Sequence, residues 1–313
     1  MVLSTEMADS MKNKILTSFI LLGIIMLIPN CKKSSTDGSS AARQKAVDDY
    51  KNNYLGSAVS TLGWTGNSTS CISGSIDPSV NEKVKQRINY FRRQVGLNDD
   101  ITLDTAKNRK CQEAALMMYS NGSLNHTPPT TWKCYTSAGA AAAGSSNLGL
   151  GYHSVNALNG QMEDAGASNT ACGHRRWILF SKAKVMGHGS TPSSQALWVI
   201  GSGSTLPSSM PDFIAWPPAN FVSSTLVYPR WSFSKPSADF SAAKVSMKDQ
   251  SEKNIALTVL ALASGYGDNT IAWEPVGIVT NSTSDQVYTV TVADVLVSSV
   301  KKTFIYNVTI IKI

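Results

Sequence analysis

Charge is scarce in this chain: 16% of its 313 residues are Asp, Glu, Lys or Arg, against about a quarter in an ordinary globular protein. With 42% hydrophobic residues beside it, that shortage excludes an intrinsically disordered chain. Histidine is scarcer still. Its four residues, His126, His153, His174 and His188, confine imidazole chemistry to one stretch. Long hydrophobic runs are missing apart from one near the N-terminus, and a mean hydropathy of −0.09 excludes a polytopic membrane protein. What remains is 33.5 kDa of chain, too much for one small domain and enough for two. The formal charge of +7 raises the question of an anionic partner.

The one apolar run is Ile15 to Ile28, preceded by Lys12 and Lys14 and followed by Pro29-Asn30-Cys31 and a Ser/Lys-rich stretch. It is too short for an ordinary spanning helix and has the layout of a secretory signal. Met11 is the better start, because residues 1–10 add acidic groups where a signal wants positive charge. The run resembles a relaxed bacterial lipoprotein signal over residues 1–30, with Cys31 as the lipidation site and residues 31–77 as a tether and N-terminal extension. An ordinary cleaved signal, with Cys31 incidental, is the alternative. Without Cys31, the remaining Cys71, Cys111, Cys134 and Cys172 are even in number. In an exported chain they read as two disulfides whose pairing sequence cannot rank. Their spacing fits no zinc-ribbon pattern.

Helical periodicity begins at Asp77-Pro78, an N-cap followed by a proline in the first turn. Val80, Val84, Ile88, Phe91 and Val95 mark one face and Gly96 an end. A second helix is predicted from Asp104 to Gly122, and a third on Val155, Leu158 and Met162. Trp177-Ile178-Leu179 and Ala196 to Ile200 read as strands. Gly201 to Pro211 reads as a linker. Beyond it, alternating segments such as Val287 to Val292 and Phe304 to Ile310 predict a β-sandwich. Charge divides unevenly. Residues 78–205 hold thirteen basic and seven acidic side chains, whereas residues 206–313 hold eight of each.

Three segments together carry a resemblance: Leu124-Asn125-His126-Thr127-Pro128-Pro129, Ser145-Ser146-Asn147-Leu148-Gly149-Leu150-Gly151 and Gly173-His174-Arg175-Arg176-Trp177. With the helices around Ile88 and Ala114, they resemble the CAP superfamily (cysteine-rich secretory protein, antigen 5, pathogenesis-related 1) in its bacterial secreted branch. The resemblance implies an α+β fold: an α–β–α sandwich CAP domain over residues 78–205, followed by an all-β sandwich-like companion over 206–313. It also implies a cleft holding His126, His174 and an acid at Asp164, with Glu163 as the alternative. The family's second acid sits in a Gly-Glu-Asn-Leu motif. Here Ser146 stands before Asn147-Leu148, so the tetrad is one acid short.

His126, His174 and Asp164 are the types that bind a divalent metal such as zinc, weakly with an acid missing. The same residues also serve as hydrogen-bonded scaffold. Ser146, His174 and Asp164 have the types of a hydrolase triad, but no Gly-x-Ser-x-Gly elbow surrounds Ser146. His153 and His188 are expected at the surface, His188 in a turn between two glycines. One of Arg175 and Arg176 is expected to pair with an inner carboxylate while the other faces water. The leading expectation is an envelope-anchored lipoprotein at the outer membrane or cell surface that binds rather than catalyses. Its partners are the membrane, through the anchor, and an anionic glycan, envelope polymer, lipid or host protein. Nucleic acid is excluded by the absence of any reading module. A metal-dependent hydrolase and a lipid- or sterol-binding protein are the rivals.

Overall fold

Two aspartates start the longest helices as their spacing predicts. In the computed structural model, which describes residues 35–313, Asp77 accepts from Ser79 N and opens α2 (Pro78–Gln94). Asp104 accepts from Lys107 N and opens α3 (Thr105–Asn121), which Gly122 closes in the left-handed region at φ 57°. Such side-chain acceptors satisfy N–H groups that the first turn leaves free. The remaining helices are α1 (Ser35–Asp49), α4 (Ser137–Gly144), α5 (Ser154–Glu163) and α6 (Gly173–Ile178).

Four strands form the first sheet: β1 (Thr102–Leu103), β2 (Ser146–Leu150), β3 (Val185–Thr191) and β4 (Ser194–Trp198), in the order β1-β3-β4-β2. Helices α3 and α4 cover one face, and α2 and α5 lie on the other. The α3 layer sits so close that a Cβ at Gly189 would meet Gln112 N at 2.2 Å. Only glycine permits that approach. This is the α–β–α sandwich.

Nine further strands follow: β5 (Ile214–Trp216), β6 (Asn220–Ser223), β7 (Trp231–Ser234), β8 (Lys244–Asp249), β9 (Asn254–Ile255), β10 (Leu257–Val259), β11 (Thr270–Pro275), β12 (Gln286–Val297) and β13 (Val300–Ile311). They form two sheets, β10-β11-β7-β5 and β6-β13-β12-β8-β9. The alternating run from Ile255 to Val259 is two strands, β9 and β10, one in each sheet. The sheets face each other across Phe233 and Phe304, whose ring centres lie 5.1 Å apart, and across Trp273, whose Nε1 donates to Met247 Sδ. Trp216, Trp231 and Trp273 are therefore core, each contributing about 2–3 kcal/mol by burial.

One hydrophobic cluster runs from Tyr50 through the helices into the tail as far as Ile310. Phe91 of α2 meets Trp216 of β5 edge-to-face at 5.4 Å. The Gly201–Pro211 stretch has no regular element, yet buried Ser202 accepts from Lys184 N and Val185 N, which ties it to the sandwich.

Four expectations need correction. First, among the described residues only Cys71 and Cys134 are bonded; Cys111 and Cys172 are free and buried. Cys111 lies in the apolar layer between α3 and β2, whereas Cys172 precedes α6 near Arg175, and a disulfide needs two Cα atoms within about 7 Å. Second, Trp177-Ile178 is the end of α6, not a strand. The Asp164 carboxylate accepts from His174 N and Arg175 N, and an anion at a helix N-terminus stabilises the first turn whatever the local apolar run. Third, His188 is buried within β3, bonded to Asn81 Oδ1 and Ser190 Oγ. Its flanking glycines answer the α3 approach rather than a turn. Fourth, both Arg175 and Arg176 are buried and neither meets a carboxylate. Their guanidinium groups donate to main-chain carbonyls and to Ser232 Oγ.

Candidate functional site

A cleft runs along the open side of β2. Its narrow lobe, about 290 Å³, lies between Ser146-Asn147, α6 and the tail loop at Tyr266. Its wide lobe, about 830 Å³, lies between Leu148-Leu150, α5 and the loop that follows it. His126 and His174 line both lobes.

The two imidazoles are held in similar ways. His126 Nδ1 lies 2.9 Å from Ala143 O, and a carbonyl only accepts, so Nδ1 carries the proton. His174 Nδ1 lies 2.7 Å from Asp164 Oδ1 and donates to it. In the neutral rings, Nε2 is the free acceptor in each case. Asn147 Nδ2 donates to His174 O, linking β2 to the start of α6. Asp164 itself sits in the left-handed region at φ 56°, just past α5. Its side chain is 0% exposed, against 27% for His174. All its contacts point inward: to the His174 ring, His174 N and Arg175 N.

The proposed cleft set therefore converges in part. His126, His174 and Ser146 line the cleft, Asp164 stands behind His174, and Glu163 lines the wide lobe. The metal set His126, His174 and Asp164 does not assemble. Among the described residues no group of three or more His, Cys, Asp or Glu is placed to hold a metal ion. The reason is local: capping α6 and orienting His174 occupy the Asp164 carboxylate. The residues present do not fit a zinc ion. Nor does a triad form, because the partner of Ser146 Oγ is Cys111 Sγ, at 3.9 Å, rather than an imidazole.

Residues 85–200 match the family model described as the cysteine-rich secretory protein family, CAP. This stretch is a CAP domain. No curated protein matches the chain. The histidine pair and the strand bearing Ser146-Asn147 fall inside the matched stretch, so most of the cleft belongs to the CAP domain.

One wall of the cleft comes from outside that match. Tyr266 and Gly265, in the loop between β10 and β11, line the narrow lobe. A Cβ at Gly173 would meet the Tyr266 ring at 2.7 Å, and the Arg176 guanidinium lies 5.4 Å from that ring's centre. In sequence Gly265-Tyr266-Gly267 reads as a turn and nothing more. The signal was Arg176, whose side chain reaches Ala263 O, Tyr266 O and Asp268 O, but sequence cannot show where an arginine ends. Gln161, on the wide lobe, donates to Gln195 Oε1 and leaves its own Oε1 without a partner.

Cys71–Cys134 fits an oxidising, extracellular setting. Among the described residues no helix is long and apolar enough to cross a membrane. Cys31 and the signal lie outside the described residues.

Proposed function

We propose that this CAP-domain protein is exported, held at the outer membrane or cell surface by lipid on Cys31, and binds a ligand in its cleft without transforming it. The observation that carries this reading is the state of the acid and the hydroxyl. Asp164 is wholly turned inward, and Ser146 faces Cys111. Neither is poised as a nucleophile, and what the cleft offers instead is two imidazole acceptors beside main chain. Bulk charge does not choose the ligand either. Four of the basic side chains in residues 78–205, Arg87, Arg92, Arg175 and Arg176, are buried. They donate to main-chain carbonyls and polar side chains of the fold, so much of the positive excess never reaches a partner. Leu124, Tyr152 and Ile200 are exposed apolar residues on the cleft walls, which keeps a lipid as the second reading.

Binding of the purified protein to lipid, glycan and polypeptide fractions of cell envelope tests this. One fraction is expected to bind saturably, and His126→Ala/His174→Ala to lose at least tenfold in affinity while remaining folded by circular dichroism. Hydrolytic turnover lost in that variant, or stoichiometric zinc lost with the two histidines, contradicts the binding reading.

A further inference from the structure

The ladder between β2 and β4 settles which main-chain groups are occupied. In an antiparallel pair, alternate residues turn both N–H and C=O toward the neighbour, and the residues between turn both away. Gly151 N donates to Ser193 O beyond one end of β2, and Val199 N to Ser145 O beyond the other. With the register running from Ser146↔Trp198 to Leu150↔Ser194, Asn147 and Gly149 face β4. Ser146, Leu148 and Leu150 face outward. Among the described residues β2 is the last strand of its sheet. Among the described residues, nothing bonds the outward N–H and C=O groups of these three. All three line the cleft.

Main-chain polar groups away from bulk water are almost always paired. An open edge is ordinarily blunted by short length, proline or charge. The opposite edge, β1, is two residues long. β2 has five residues, Ser-Asn-Leu-Gly-Leu, with neither proline nor charge. It is recessed instead: Ser146 is 4% exposed and Leu148 5%, with His126 beside α4 and His174 in α6 on the cleft walls.

Resting on the cleft reading above, we propose that the ligand is an extended polypeptide segment, which adds to β2 as a fifth strand of the CAP sheet between the imidazoles of His126 and His174. Outward donors and acceptors repeat along β2 every second residue, about 7 Å, which is the repeat of another extended chain. An acyl chain would leave them unpaired, and a glycan lacks the alternating amide pattern. A recessed edge also disfavours a second folded copy, whose own cleft walls would meet these before the strands did. A single thin strand enters without that obstruction.

The test adds a mixture of end-capped pentapeptides, randomised in sequence, to the full chain and follows amide exchange residue by residue. Exchange at Leu148 and Leu150 is expected to slow at least tenfold, with no such effect from the same mixture N-methylated at alternate nitrogens. Leu150→Pro removes an outward donor and leaves the β4 ladder intact, so it should weaken peptide binding at least tenfold relative to Leu150→Ala. Should Leu150→Pro not fold, the N-methylated peptides give the same comparison. Unchanged exchange at Leu148 and Leu150 at millimolar peptide, or equal binding of the N-methylated mixture, overturns the proposal. So does protection that appears with protein concentration alone, which identifies a second copy. A lipid or glycan that binds through His126 and His174 without protecting those amides overturns the peptide and leaves the cleft reading standing.

Discussion

Two regions of this molecule treat main-chain polar groups in opposite ways. At the seam between the CAP sandwich and the β-rich tail, guanidinium groups seek carbonyls out. Arg175 reaches Met162 O, Glu163 O and Arg230 O; Arg176 reaches Ala263 O, Tyr266 O and Asp268 O; Arg230 returns to Asp164 O and Asn169 O. Along β2, a residue away from that seam at His174, three outward pairs are left open. Arginine presents five donors in a rigid fork and is suited to closing such groups. The open edge is therefore not for want of donors nearby. The seam fixes the cleft's walls, and the edge is left for something else.

The largest expected effect comes from breaking the seam. Arg176→Ala strips donors from three tail carbonyls, and unsatisfied buried groups cost about 1–3 kcal/mol each, partly recovered from water. A loss of about 3 kcal/mol is expected, seen as a fall in melting temperature of about 6–12 °C. Tyr266 should then leave the narrow lobe, enlarging it. A loss below about 1 kcal/mol would mean that the apolar cluster alone holds the seam.

Much of this was legible in the sequence, and what was not has a common cause. The cap at Asp77, the stripe from Val80 to Phe91 and the stop at Gly122 are local features, and the structure follows them. The resemblance to the CAP family was carried by short segments whose order could be read directly, and the family match over residues 85–200 agrees with it. The failures are all at points where a distant group decides. Trp177-Ile178 is apolar enough for a strand, but a carboxylate ten residues back caps it as a helix. His188 between two glycines looked like a turn until α3 was laid on it. Arg175 and Arg176 looked like one inner and one outer charge, and both turned inward to carbonyls contributed by other segments. The openness of β2 is of the same kind, since strand order within a sheet is not a local property.

A smaller effect probes the sealed interior on the sandwich side. His188 is neutral when folded. Burial, with His153 adding like-charge repulsion, lowers its pKa from 6.5 to about 3. The unfolded ring binds a proton below pH 6.5 and the folded ring does not. Stability from this site is therefore full above 6.5 and falls as pH drops toward 3, by about 2 kcal/mol between pH 7 and 5. Denaturant melts at those two values should show this slope in the wild type and a flatter one in His188→Gln. Equal slopes would mean that His188 is hydrated and titrates normally.

The most direct measurement of the difference between seam and edge is amide hydrogen exchange along β2 in the protein without ligand. Residues facing β4 are held by the ladder, and those facing the cleft are not. Exchange should alternate, slow at Asn147 and Gly149 and faster by at least tenfold at Leu148 and Leu150. Uniform protection from Ser146 to Leu150 would show that the edge is closed and would contradict the account at its centre.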